Sequence, residues 1–176
     1  DMYWFQGPDE DEELGVKAMN CPGHCHLFST GQRSYRDLPI RWAVFSPLQR
    51  NERSGTLTGM TRVRTFAQDD DHSYCTPEQV PEEIDGFFRM VSEVYTQLGL
   101  EGLEMSVSTR SEEFLGEEKD WDAAEKALID AVENAGFACG IKEGEAAFSG
   151  PKVEGDLRDV LGRAWTLATI QNDTAT

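Results

Sequence analysis

The sequence predicts an α+β fold, an antiparallel sheet flanked by helices. Two long segments carry helical spacing, seven shorter ones read as strands, and two pairs of strands are joined by polar loops as hairpins. In chain order, strands are expected at Met2–Phe5 and Val16–Met19, with the acid run Asp9–Glu13 between them as a solvated hairpin loop. Pro22 suits the first position of a helix and would put Cys21 at its N-terminus. Strands follow at Ile40–Gln49 and Arg62–Asp71. In 81–98, Ile84, Phe87, Phe88, Val91, Val94, Tyr95 and Leu98 line one helix face, started by Thr76-Pro77-Glu78 and stopped by Gly99. After a strand at Leu103–Ser108, Trp121, Ala124, Leu128 and Val132 mark a second helix over 121–135, closed by Gly136. Lys152–Val160 and Ala164–Gln171 complete the strands.

Length and composition bound the function. The chain has 176 residues, enough for one domain with an ordinary core, and its 39% apolar and 10% aromatic content excludes a disordered acidic tail. A net charge of -17 excludes a basic nucleic-acid module. No apolar run reaches the roughly 18 residues that span a bilayer, and the first residues lack the basic region and cleavage site of a signal peptide. Four unevenly placed cysteines do not read as a disulfide scaffold, so a reducing, cytoplasmic setting is expected.

The charge is uneven. Residues 21–76 carry seven arginines against five acids, whereas the flanking segments are strongly acidic. Arginine forks suit phosphates and carboxylates, so this stretch reads either as an anion site inside an acidic shell or as arginines paired with distant acids. Period-two spacing puts Arg62, Arg64, Phe66, Gln68 and Asp70 on one side of a strand, a set too polar for a core. Arg50 and Glu52, two apart, face one way on the preceding strand. An arginine for a phosphate, a carboxylate for an exocyclic amine and an aromatic ring for a base together fit a nucleotide.

Cys21 at a helix start reads first as a buried cysteine under a capped turn and second as a favoured thiolate; Cys21, Cys25, His72 and Cys75 are a possible local metal set. Lys152 stands at a turn-to-strand junction, and Gln171 is polar among apolar neighbours.

The order of the motifs says more than any one of them. N-C-P-G-H at 20–24, S-Y-R-D-L-P-I-R at 34–41, R-N-E-x-S-G at 50–55, R-V-R-x-F-x-Q-D-D at 62–70, H-x-x-C-T at 72–76, G-P-K at 150–152 and R-A-W-x-x-x-T-I-Q at 163–171 follow one another with the spacing kept. This strongly resembles the catalytic core of the threonyl-tRNA synthetase family, class II aminoacyl-tRNA synthetases, from about Met2 to Asp173. The resemblance implies a ligase that forms threonyl-adenylate from threonine and ATP and passes the threonyl group to the terminal ribose of tRNA(Thr). It assigns Arg50 to the α-phosphate, Glu52 to the adenine amino group, Phe66 to the adenine ring and Arg62 to the outer phosphates. Asp70 would accept from the threonine hydroxyl, and Gln68, Ser149, Lys152 and Gln171 would line the amino-acid and phosphate pocket, with Arg50 and Lys152 as the catalytic pair. Cys21 and His72 would be two of three protein ligands of a zinc ion, the third lying outside this chain; Mg2+ would accompany ATP.

The chain also departs from the family. Ser149 stands where a tyrosine is usual before G-P-K, Gln49 where a histidine precedes R-N-E, and Thr58 where a loop histidine is usual. The expectation is a partial class II catalytic domain over residues 1–176, truncated at both ends and weakly active or inactive by itself. It would lack editing and anticodon-binding domains, and the intact protein would be a homodimer. Two other readings stand beside it: a paralogue that loads an amino acid onto a non-tRNA acceptor, and a silent nucleotide-binding pseudo-synthetase.

Overall fold

The computed structural model describes residues 2–59 and 61–173, which fall into two compact units, Asp1–Pro77 and Glu78–Thr176. The first unit opens with a hairpin of β1 (Tyr3–Gln6) and β2 (Glu13–Val16). β2 starts earlier than the apolar pattern predicts. The amide of Gln6 donates to the carbonyls of Asp9, Glu10 and Glu12, which ties the acid run into the turn and lets Glu13 pair with Gln6. Helix α1 (Cys21–Ser29) follows, with Pro22 in its first turn as expected.

β3 (Ile40–Gln49) matches its predicted bounds and pairs antiparallel with β4 (Thr65–Tyr74) from Ile40↔Tyr74 to Gln49↔Thr65. This register shifts β4 three residues past the predicted Arg62–Asp71. Arg62 instead bridges Thr58 inside the connecting loop, and Arg64 precedes the strand, so neither shares its regular face. On that face Trp42, Ser46 and Leu48 oppose His72, Gln68 and Phe66, with Asp70 and Tyr74 completing the row.

The same face receives α1. His24 and Phe28 pack edge-on against Trp42, and Phe28 stacks on Tyr74 at 4.3 Å between ring centroids. The guanidinium of Arg33 lies 5.1 Å from both the Phe28 and Trp42 rings. Leu48 is the one fully buried apolar side chain among the described residues of this unit, so aromatic and polar contacts do the work of a core.

The second unit is built conventionally. Helices α2 (Val80–Gln97) and α3 (Glu118–Asn134) cover one face of a four-stranded sheet of β5 (Glu104–Ser108), β6 (Cys139–Lys142), β7 (Lys152–Arg158) and β8 (Ala164–Gln171), ordered β6-β5-β7-β8. All neighbours are antiparallel except β5 and β6. The four-residue β6 escapes sequence reading because Cys139-Gly140-Ile141-Lys142 is too short to show a period. Both helices end as predicted, with Gly99 at φ +70° and Gly136 at φ +84°, left-handed positions that glycine takes without a Cβ clash.

Ile84, Phe88, Val91, Met105, Val107, Leu128, Val132 and Val153 interlock between helices and sheet, each side chain contributing roughly 1.5–3 kcal/mol by leaving water. Alternation sends Ser106, Ser108, Lys152, Glu154 and Asp156 to the opposite, polar face. No described helix is long and apolar enough to cross a membrane.

Candidate functional site

In the first unit the expected nucleotide residues gather where β3 runs into its loop. Arg50 lies just past β3, and its backbone N–H still pairs with the Arg64 carbonyl at 2.9 Å. Its Nε donates to the Ala18 carbonyl at 3.1 Å, and its guanidinium carbon sits 5.0 Å from the centre of the Phe66 ring. A neutral carbonyl and an aromatic face thus orient this cation and leave it its full charge, which suits an anionic ligand.

Glu52 is not on a strand. Its N–H bonds the Arg50 carbonyl at 2.8 Å, so the chain turns there, and Glu52 is half-buried. Its carbonyl accepts from Arg64 Nε at 3.0 Å, while Arg64 also reaches the Ser54 hydroxyl. Arg64 therefore ties the loop down, a role its place in the motif did not disclose. Arg62 is exposed in the loop.

Phe66, Gln68 and Asp70 share one face of β4, as the period-two spacing predicts, and His72 continues that face. Asp70 Oδ2 accepts from the Asn20 amide at 2.9 Å. His72 Nδ1 meets His24 Nδ1 at 2.7 Å, so one ring holds a proton there and the other accepts it. Burial, and then the neighbouring His72, push His24 below the ordinary histidine value. The next residue of α1, Cys25, accepts through its thiol from the Tyr74 hydroxyl at 3.6 Å, and burial with that bond raises the phenol above its ordinary value.

Cys21 begins α1, the helix that packs on the His72 face of β4. No group of three or more His, Cys, Asp or Glu among the described residues stands close enough to hold a metal ion, so Cys21, Cys25, His72 and Cys75 do not assemble into a site. The donors present among the described residues do not by themselves fit a zinc centre.

The second unit brings its own expected residues together. Lys152 and Gln171 are paired across β7 and β8. Gln171 Nε2 donates to the hydroxyl of the nearly buried Ser149 at 2.9 Å. Lys152 Nζ donates to Glu154 Oε1 at 2.8 Å. Glu154 Oε2 in turn accepts from Ser108 at 2.9 Å and from Lys142 at 3.3 Å, and Lys142 continues to Asp156 at 2.9 Å.

Burial opposes ionisation of Glu154, but the bonds from Lys152 and Ser108 and the two lysine charges outweigh it and hold the carboxyl below its ordinary value. Asp156 is lowered in the same way, its burial outweighed by Thr166 and Lys142. Glu154, two residues from Lys152 on the same strand face, was findable by the period of a strand; His24 and Asn20 carried no such signal.

Comparison with known proteins agrees with the motif order. Residues 3–176 match the family model of the tRNA synthetase class II core domain (G, H, P, S and T). The threonine–tRNA ligases of Acinetobacter baylyi (strain ATCC 33305 / BD413 / ADP1) and Acinetobacter baumannii (strain SDF) are each 47% identical over 169 residues, 96% of this chain. The chain spans about a quarter (26%) of the length of each. The crystal structure of the RNA binding domain of threonyl-tRNA synthetase from Cryptosporidium parvum Iowa II superposes with a TM-score of 0.91 at 45% identity, over 98% of this chain and 42% of that one.

Proposed function

The chain belongs to the class II tRNA synthetase core-domain family, and on that premise we propose that it is the catalytic-core portion of a threonine–tRNA ligase. The carrying observation is Arg50, held over Phe66 by the Ala18 carbonyl, beside a strand face that presents Gln68, Asp70 and His72. In this reading an oxygen of the threonine carboxylate attacks the α-phosphorus of ATP, and the bond to the β-phosphate oxygen breaks to release pyrophosphate. Arg50 neutralises the charge that grows on the α-phosphate oxygens. Phe66 offers adenine the ring face that Arg50 does not cover, Glu52 accepts from the adenine amino group, and Arg62 swings from its loop to the outer phosphates.

Gln68 and Asp70 address the amino acid, with Asp70 accepting from the threonine hydroxyl; Lys152, Gln171 and Ser149 are the polar groups that the second unit offers to substrate. A ribose hydroxyl at the end of tRNA(Thr) then attacks the adenylate carbonyl and AMP leaves. Mg2+ accompanies ATP. A zinc ion belongs to the proposal only as one shared by Cys21, His72 and a donor from another part of the protein. Other parts of the protein would equally supply tRNA recognition and the homodimer contact.

Threonine-dependent ATP–pyrophosphate exchange by the full-length protein tests the reading, and its absence would overturn it. Arg50→Ala is expected to reduce exchange on the order of a hundredfold. An unchanged rate would remove Arg50 from the chemistry. Ser149 favours one variant of the proposal: a short hydroxyl committed to Gln171 makes a wall unlike a tyrosine, so exchange with each of the common amino acids decides whether threonine is the preferred substrate.

A further inference from the structure

Asn20 is a preferred type of residue for the start of a helix, where its side chain ordinarily accepts from a backbone N–H of the first turn. Here it stands at the N-cap of α1 and makes no such bond, although Ser34 caps the next helical turn in the usual way, accepting from the Arg36 N–H. The Asn20 amide is turned across to the β-hairpin instead. Its Nδ2 donates to Asp70 Oδ2 at 2.9 Å. Its Oδ1 accepts from Lys17 Nζ at 2.9 Å and from the Ser46 hydroxyl at 3.3 Å, and Lys17 is itself bonded to Ser46 at 2.6 Å.

These partners fix the amide's orientation. A flipped amide would set its NH2 group against the Lys17 ammonium and its oxygen against the Asp70 carboxylate, both repulsive. Asn20 is only 5% exposed, so water cannot readily replace a lost donor.

We propose that Asn20 is a positioning residue: locked by Lys17 and Ser46, it holds one oxygen of Asp70 and so presents the other to the side-chain hydroxyl of the amino-acid substrate. This deepens the reading of Asp70 as the hydroxyl acceptor and rests on it. The amide contributes orientation and no chemistry. Its loss therefore weakens selection of a hydroxylated amino acid over its hydroxyl-free isostere, while ATP binding is retained.

Calorimetric titration of the full-length protein with threonine, with valine and with ATP separates the possibilities. Asp70→Ala should abolish the preference for threonine over valine. Asn20→Asp keeps the volume and the Lys17 contact but replaces the neutral donor facing Asp70 by a second carboxyl group, which either repels Asp70 or shares a proton with it; it should lower the threonine-to-valine ratio about tenfold or more with ATP affinity unchanged. Lys17→Met alters only an exposed side chain, frees the amide to flip and should give a smaller fall in the same ratio. If Asp70→Ala loses the preference while Asn20→Asp and Lys17→Met keep the wild-type ratio, the positioning role is refuted and the reading of Asp70 survives. A wild-type protein with no preference, matching Asp70→Ala, overturns the reading of Asp70 and the positioning role with it.

Discussion

The polar face of β4 and the polar face of β7 both carry functional groups at two-residue spacing, but they hold them with different partners. Beside β4, Arg50 rests on a carbonyl and a phenyl ring, and Asp70 is bonded by an amide. Along β7, Lys152 and Lys142 are bonded to Glu154, and Lys142 also to Asp156. The cores differ as well: the second unit has an interlocked, mainly aliphatic core, whereas the first leans on the aromatic cluster of Phe28, Trp42 and Tyr74. The difference teaches where ligand chemistry can reside. A charge oriented by neutral groups keeps its field for a ligand, while a charge neutralised by its neighbour mainly serves the fold.

The largest expected effect tests the cores. Trp121 is fully buried and its Nε1 donates to the Leu115 carbonyl at 2.7 Å, so Trp121→Ala should destabilise by about 3–5 kcal/mol in urea unfolding followed by far-ultraviolet circular dichroism. Trp42→Ala, at a half-buried aromatic contact of the first unit, should give less than half of that. Equal losses would break the contrast.

A smaller effect is expected from Glu154→Gln, which leaves two partly buried ammonium groups without their shared carboxylate. Destabilisation of about 1–3 kcal/mol in the same assay would support a structural charge ladder, and no change would show the ladder to be ornamental.

The smallest effect is a pH dependence. Glu154 and Asp156 lie below their ordinary values of 4.5 and 3.8 in the folded chain. Their stabilisation is therefore complete above those ordinary values and disappears as pH falls through the lower folded ones. Lys142 is raised above its ordinary 10.5, because bonds to Asp156 and Glu154 outweigh its burial, so its share is complete below that value and is lost at higher pH. The melting temperature should thus be flat between about pH 7 and 9, decline below that as the lowered His24 is forced to protonate, and fall on further acidification less steeply in Glu154→Gln than in wild type. Identical slopes would remove Glu154 from the acid transition.

Much of this was legible in the residues. Both long helices, β3 and β8 follow from apolar spacing and turn glycines, because burial of one face is a local periodic signal. The face holding Phe66, Gln68 and Asp70 follows from a period of two. Less legible were Arg62 and Arg64, whose place depends on where β4 begins, and that is set by pairing with β3 some two dozen residues away. His24 and Asn20 emerged only as partners of expected residues, since a hydrogen bond between distant segments leaves no mark in either segment alone, whereas Glu154 shares the two-residue period of Lys152.

Sequence by itself determined the α+β class and the family and singled out the candidate groups, because these rest on residue type, order and short-range period. Tertiary structure alone decided which neighbours hold those groups. A guanidinium over a ring, an amide turned from its helix to a carboxylate and a lysine joined to a glutamate are contacts between segments, and their strength depends on distance and burial that only the folded chain defines.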